Sequence, residues 1–110
     1  MPSYYETVDL AKLSEVAAGA PALWEKFQDW YAETLKDGAL TAREKSLIAL
    51  AVSNALQCPY CIDVHIRGAM ETGSSIEQMT EAVQVAAAIR AGATLSHGIQ
   101  IREVADRRGV

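Results

Sequence analysis

The sequence predicts an all-α protein, a compact bundle of about six helices. Three observations carry that prediction. Apolar residues recur at intervals of three and four along most of the chain. No segment alternates apolar and polar residues in a sustained way, so no strand is expected. Prolines, glycines and two capping boxes punctuate the chain in the order that helix starts and stops require. With 110 residues the chain is one domain. It divides into N-terminal helices over 9–37 and a cysteine-containing core over 38–107.

The first helix is expected over 9–18, where Leu10, Leu13 and Ala17 share a face and Gly19 suits a C-cap. Pro21 fits the first turn of a second helix over 21–37. Leu23, Trp24, Phe27, Trp30, Tyr31 and Leu35 give that helix a broad apolar stripe, read first as core or subunit interface and otherwise as lining the route to the cysteines, and Gly38 closes it. Thr41-Ala42-Arg43-Glu44 is a capping box, with the Thr hydroxyl accepting from the N3 amide and Glu44 reaching back. The helix it opens runs to Leu56, is apolar on most sides, and is expected at the centre of the domain. Pro59 starts the next helix, which stops near Gly73. Ser75-Ile76-Glu77-Gln78 opens another, expected to end at Ala91 before Gly92. A last helix is expected over 95–107. Met70 and Met79 read as core filler.

Composition narrows the function. Ten Lys and Arg against fourteen Asp and Glu leave a net charge of −4, which disfavours nucleic acid as the main partner. Apolar runs such as Leu47 to Val52 fall far short of the roughly 20 residues that a membrane helix needs. The start, Met1-Pro2-Ser3-Tyr4-Tyr5-Glu6, carries neither a basic nor an apolar leader region, so the expected compartment is the cytosol. A chain this small that is 50% hydrophobic has apolar surface to spare, and a homo-oligomer is expected.

The two cysteines, Cys58 and Cys61, stand three apart, with His65 four further on. On a helix that starts at Pro59 these three residues share one side. Unpaired amides and the partial positive charge of the helix start favour thiolate over thiol. A nucleophilic thiolate, a proton-accepting imidazole and a second thiol are the parts of a two-electron thiol cycle. Three other readings fit the motif less well. Cys-Pro-Tyr-Cys also occurs in glutaredoxins, but that fold needs a strand where this chain has a capped helix. A structural zinc takes four ligands, and beyond this trio the chain offers one other His, His97, and no second cysteine pair. Two cysteines can also pack simply as small hydrophobes.

At this motif the chain resembles the carboxymuconolactone decarboxylase superfamily, in its AhpD-like alkylhydroperoxidase branch. The resemblance rests on Leu40-Thr41-Ala42-Arg43-Glu44-Lys45, the helix Leu47 to Leu56, and Cys58-x-x-Cys61-x-x-x-His65. It continues through Gly73 and Ala82 to Ala93. The stretch from Ala39 to Asp63 and the aromatic helix are similar to small peroxidase-like proteins associated with arsenosugar biosynthesis. The decarboxylase branch lacks the cysteine pair, which disfavours decarboxylation.

The resemblance implies a helical homotrimer or hexamer that reduces hydroperoxides. Cys61 carries over as the attacking thiolate, Cys58 as the resolving cysteine and His65 as part of the proton relay. No bound cofactor and no metal are implied; a dithiol such as dihydrolipoamide, or a thioredoxin-like protein, would return the electrons. One position departs from the pattern: a Glu of the relay, twelve residues before the first cysteine, is Ser46 here. Glu44 lies two residues away, a rotation of about 200°, and is occupied by its capping box. Asn54, Asp63, His97 and an acid from a neighbouring subunit are the other groups able to enter the relay. The alternative function is a redox accessory, or a protein whose thiols hold a thiophilic ligand such as arsenite.

Overall fold

The computed structural model describes residues 6–109, all in helices, turns and short connections. The first five residues, on which the expectation of no leader rests, lie outside them. A 3-10 turn (Thr7–Lys12) precedes α1 (Leu13–Gly19) and α2 (Pro21–Thr34). Then come α3 (Ala42–Leu56), α4 (Pro59–Glu71), α5 (Ile76–His97) and α6 (Ile99–Arg107). The all-α class and the six α-helices match expectation.

The starts follow from the caps. Thr41 accepts from Glu44 N at 3.1 Å while Glu44 accepts the Thr41 amide at 2.9 Å. That amide bond holds the Glu44 carboxyl below its ordinary pKa. Ser75 and Gln78 form the same reciprocal pair at 3.1 and 2.9 Å. Arg43 reaches Gln78, tying the two starts together. Pro21 and Pro59 occupy first-turn positions, where the missing N–H has no partner to lose. At the end of α4, Gly73 takes φ 88°, and Ser74 N and Gly73 N bond back to Ala69 O and Met70 O. This is a Schellman turn, and the positive φ is what glycine supplies.

Three boundaries differ from expectation. The opening helix begins as a 3-10 turn and becomes α-helical only at Leu13. α2 ends at Thr34 rather than 37, because the next residues are held by the start of α3. Asp37 accepts the Ala42 amide at 2.6 Å, and Lys45 Nζ donates to Lys36 O at 2.5 Å. Gly92 does not end α5, which continues to His97, so the last helix starts at Ile99. An interior glycine costs about 1 kcal/mol, which the Ala-rich run on both sides offsets.

α3 is central, packing against both α4 and α5. Its buried positions, Ser46, Leu50 and Ser53, recur at four and three. Ser46 and Ser53 spend their hydroxyls on their own backbone, bonding Arg43 O at 2.7 Å and Ala49 O at 2.6 Å. The buried apolar core is Leu50, Ala69 and Met79, with Leu47 and Val83 packed on it. Other apolar side chains of α3, among them Ile48, Val52 and Leu56, are about half exposed or more. Met70, expected in the core, is 59% exposed.

The expectation of a compact bundle is corrected. The radius of gyration is 18.7 Å and the extents are 56 × 37 × 36 Å. A compact chain of this length would have a radius near 13 Å. The far part of α5 and all of α6 lie away from the core, and Val85, Ile89, Leu95, Ile99 and Ile101 are each more than 60% exposed. A surface stripe and a core stripe have the same period in sequence, so periodicity alone did not separate them. Among the described residues no helix is long and apolar enough to cross a membrane.

Candidate functional site

The site is built at the two-residue junction between α3 and α4. Gln57 ends α3 in the left-handed conformation, φ 57° and ψ 39°. Its amide bonds Asn54 O at 3.0 Å and the Cys58 amide bonds Ser53 O at 3.2 Å, again a Schellman turn. The next residue, Cys58, is already the N-cap of α4. Its Sγ accepts the Cys61 amide at 3.2 Å, taking the place a Ser or Asp oxygen would hold. Cys58 and Cys61 are joined as a disulfide with Cα atoms 5.3 Å apart, inside the span such a bridge requires.

One turn on, His65 is buried at 9% exposure. Its Nε2 lies 2.7 Å from the Tyr31 hydroxyl, 34 residues away on α2. The two rings are 23° from parallel. Phe27 stands against Tyr31 at 5.6 Å and Trp24 against Phe27 at 5.5 Å, so an aromatic row runs along α2 to His65. No residue of α2 is buried. The stripe divides: Trp24, Phe27 and Tyr31 face a cleft that reaches the cysteines, while Leu23 and Trp30 are about 70% exposed in the single chain. The cleft, about 1140 Å³, is lined by those three rings, by Leu10, Leu13 and Val16, and by Cys58, Cys61, Tyr60 and Val64. Tyr60 also donates to Asp9 at 3.1 Å, drawing the N-terminal 3-10 turn onto the start of α4. Hydrogen bonds to Asp9, first from Lys12, hold its carboxyl below the ordinary range.

Burial lowers the pKa of His65 from its ordinary 6.5, because the imidazolium loses solvation. The ring is therefore neutral at pH 7 and can accept a proton. The sign for stability follows. The unfolded chain binds the proton at 6.5, the folded chain only at a lower pH, so folding is favoured above 6.5 and weakened as pH falls below it. Urea midpoints at pH 7.5 and 5.5 should differ more in the parent than in His65→Gln. Equal differences would show that the His65 proton does not report on folding.

The structure joins Cys58 to Cys61 and sets His65 one turn further along α4, where its side chain bonds Tyr31. Each of the other sequence candidates has a partner of its own. Ser46 bonds Thr72 Oγ1 at 2.9 Å, at the C-cap of α4. That is the opposite end of a helix about 20 Å long from Cys58. Asn54 donates to Leu50 O at 2.9 Å on its own helix. Asp63 is paired with Arg67 at 2.8 Å. His97 bonds Ala93 O at 2.8 Å at the end of α5. Tyr31 was expected along the route to the cysteines at most, and its bond to His65 was missed. Its position in an apolar stripe is the only mark it carries, and a contact across 34 residues leaves no local pattern. Among the described residues no group of three or more His, Cys, Asp and Glu side chains is placed to hold a metal ion.

Comparison with known proteins agrees with this fold. The profile of the carboxymuconolactone decarboxylase family matches residues 21–103, taking in α2 as well as the core. The uncharacterized protein 4 in the cox locus of Paracoccus denitrificans is 40% identical over 96 residues, 87% of this chain and 86% of that protein. A crystal structure of a protein from Methanobacterium thermoautotrophicum superposes with a TM-score of 0.75 at 34% identity, covering 80% of this chain and 96% of that one. The apo structure of a carboxymuconolactone decarboxylase family protein from Legionella pneumophila gives 0.71 at 28% identity, covering 92% and 91%.

Proposed function

We propose, from the premise that the chain belongs to the carboxymuconolactone decarboxylase family, that it is a thiol-dependent peroxidase of the AhpD-like kind. The observation that carries this reading is the cysteine pair. The two sulfurs are bridged at the start of α4, open onto a cleft, and have a neutral, buried imidazole one turn away.

The cycle balances on these residues and two external reactants. In the reduced protein His65 takes the Cys61 proton, and the thiolate attacks the nearer oxygen of a hydroperoxide. An S–O bond forms, the O–O bond breaks, and the departing alkoxide leaves as the alcohol once protonated. Cys58 then attacks the sulfenic acid, the disulfide forms, and the hydroxyl leaves as water. One dithiol and one hydroperoxide become one disulfide, one alcohol and one water. An external dithiol, small such as dihydrolipoamide or carried on a thioredoxin-like protein, returns the two electrons by exchange. Cys58 suits the resolving role because the Cys61 amide already points at its sulfur and favours its thiolate.

The test is direct. The reduced protein, given one equivalent of an alkyl hydroperoxide, should lose two hydrogens by mass as the disulfide forms, and should turn over peroxide with dihydrolipoamide present. A dithiol state that survives excess peroxide removes the proposal.

The exposed apolar faces of α3, α5 and α6 support assembly with further copies of the chain as a trimer or hexamer. The described core is too small for the helical surface around it. Light scattering at micromolar concentration should return a multiple of 11.9 kDa; the monomer mass would exclude it.

A further inference from the structure

We propose that Tyr31 is a further catalytic residue of the thiol site, holding His65 and carrying its proton to and from the cleft. The inference rests on the peroxidase reading for its chemistry, but on separate geometry.

His65 is buried and is not among the residues that line the cleft, whereas Tyr31 lines it together with both cysteines. The phenol therefore stands between the cleft and the imidazole, with its oxygen 2.7 Å from Nε2. Tyr31 is held there by ring contact with Phe27, itself against Trp24. Ser46 makes its hydrogen bonds at the far end of α4, so the side chain bonded to His65 is this phenol rather than an acid. Of the charged groups around the site, two carboxylates are paired. Asp9 is paired with Lys12 at 3.2 Å and with Tyr60, and Asp63 with Arg67. From α3, Glu44 is held by its capping box, and Asp29 of α2 lines the cleft.

A phenol differs here from a carboxylate. A carboxylate beside His65 would stabilise the imidazolium and raise the pKa of the ring, whereas the hydroxyl adds no charge. A neutral hydroxyl donates to Nε2 of the neutral ring and accepts from Nε2–H of the imidazolium, so it stays bonded through the cycle. Partial burial holds the phenol above its ordinary pKa of 10, so it keeps its own proton. With Nε2 accepting from the phenol, Nδ1 carries the ring's own proton, so the Cys61 proton enters through Tyr31: the phenol oxygen accepts it as the phenol gives its own to Nε2, and when the alkoxide departs the two transfers run in reverse. Tyr31 ends the step unchanged.

Three variants test this: Tyr31→Phe, Tyr31→Glu and, for the parent reading, Cys61→Ser. Two quantities are measured. One is peroxide turnover; the other is the pH profile of iodoacetamide alkylation of the reduced protein, which needs no peroxide. Tyr31→Phe should lower peroxide kcat about 10- to 100-fold, in or just under the range of general acid–base catalysis, with KM within about twofold. It should move the His65-dependent limb of the alkylation profile to lower pH, because the buried imidazolium loses an acceptor. Tyr31→Glu should move that limb to higher pH. Opposite displacements are not expected from a residue that only fills space. Parent-like alkylation profiles in both variants would overturn the role of Tyr31 whatever the peroxide result. Unchanged peroxide turnover in Cys61→Ser, with the two displacements present, would overturn the peroxidase reading and leave Tyr31 in place.

Discussion

Replacing Cys61 by serine is expected to lower peroxide turnover on the order of a thousandfold or more, the largest functional effect of any single change in the chain. A serine hydroxyl is not ionised near neutral pH, and oxygen is a far weaker nucleophile toward a peroxide than a thiolate sulfur. The change is nearly isosteric, and the Cys61 amide that donates to Cys58 is untouched. The fold of α4 should therefore survive, and the variant should melt within a few degrees of the reduced parent. Cys58→Ser gives the contrasting pattern. Its hydroxyl caps α4 as well as sulfur does, and the remaining thiolate should still react once with peroxide, stopping at a sulfenic acid that a dimedone probe traps. Stopped-flow peroxide consumption separates the two: no fast phase in Cys61→Ser, a single unrecycled equivalent in Cys58→Ser. The reverse pattern would exchange the roles of the two cysteines.

The largest stability effect is expected at Leu50. It is 2% exposed, sits on the central helix, and forms the buried core with only Ala69 and Met79 among the described residues. Leu50→Ala removes buried methyl groups and leaves a void that α4 and α5 cannot both close, at a cost of about 3 kcal/mol. Domains of this size have roughly 5–15 kcal/mol in all, so the urea midpoint should fall steeply. Ile48→Ala is the matched control on the same helix, 49% exposed in the single chain. If copies of the chain cover Ile48, its loss should weaken stability most at low protein concentration, whereas the Leu50 deficit should persist at all concentrations. A Leu50→Ala midpoint shift worth less than about 1 kcal/mol would mean the core lies elsewhere.

These expectations show which parts of the molecule are written locally. Thr41 with Glu44, Ser75 with Gln78, and Pro21 and Pro59 lie within one turn of what they control, so the helix starts were legible. So were the pairing of Cys58 with Cys61 and the place of His65 one turn on, because residues three and four apart on a helix share a face. What failed was long-range. The end of α2 depends on Asp37 accepting the Ala42 amide and on Lys45 reaching back to Lys36 O. The continuation of α5 through Gly92 depends on the residues around the glycine outweighing it. The elongated shape was illegible because an apolar stripe does not say whether its own chain or another will cover it. Tyr31 is the clearest case: nothing at position 31 distinguishes a phenol on an imidazole from a phenol in a core.

The cap on α4 has a consequence for the direction in which electrons run. A helix start that offers an amide to the Cys58 sulfur interacts more strongly with a thiolate than with a bridged sulfur, because the negative charge meets the positive end of the helix. The contact therefore stabilises the reduced form relative to the disulfide, and the reduction potential of the pair rises with it. In the proposed cycle the same contact makes Cys58 the better leaving group, which would direct an incoming dithiol to the Cys61 sulfur. One backbone N–H would then bear both on how oxidising the bridge is and on which of its two atoms is opened.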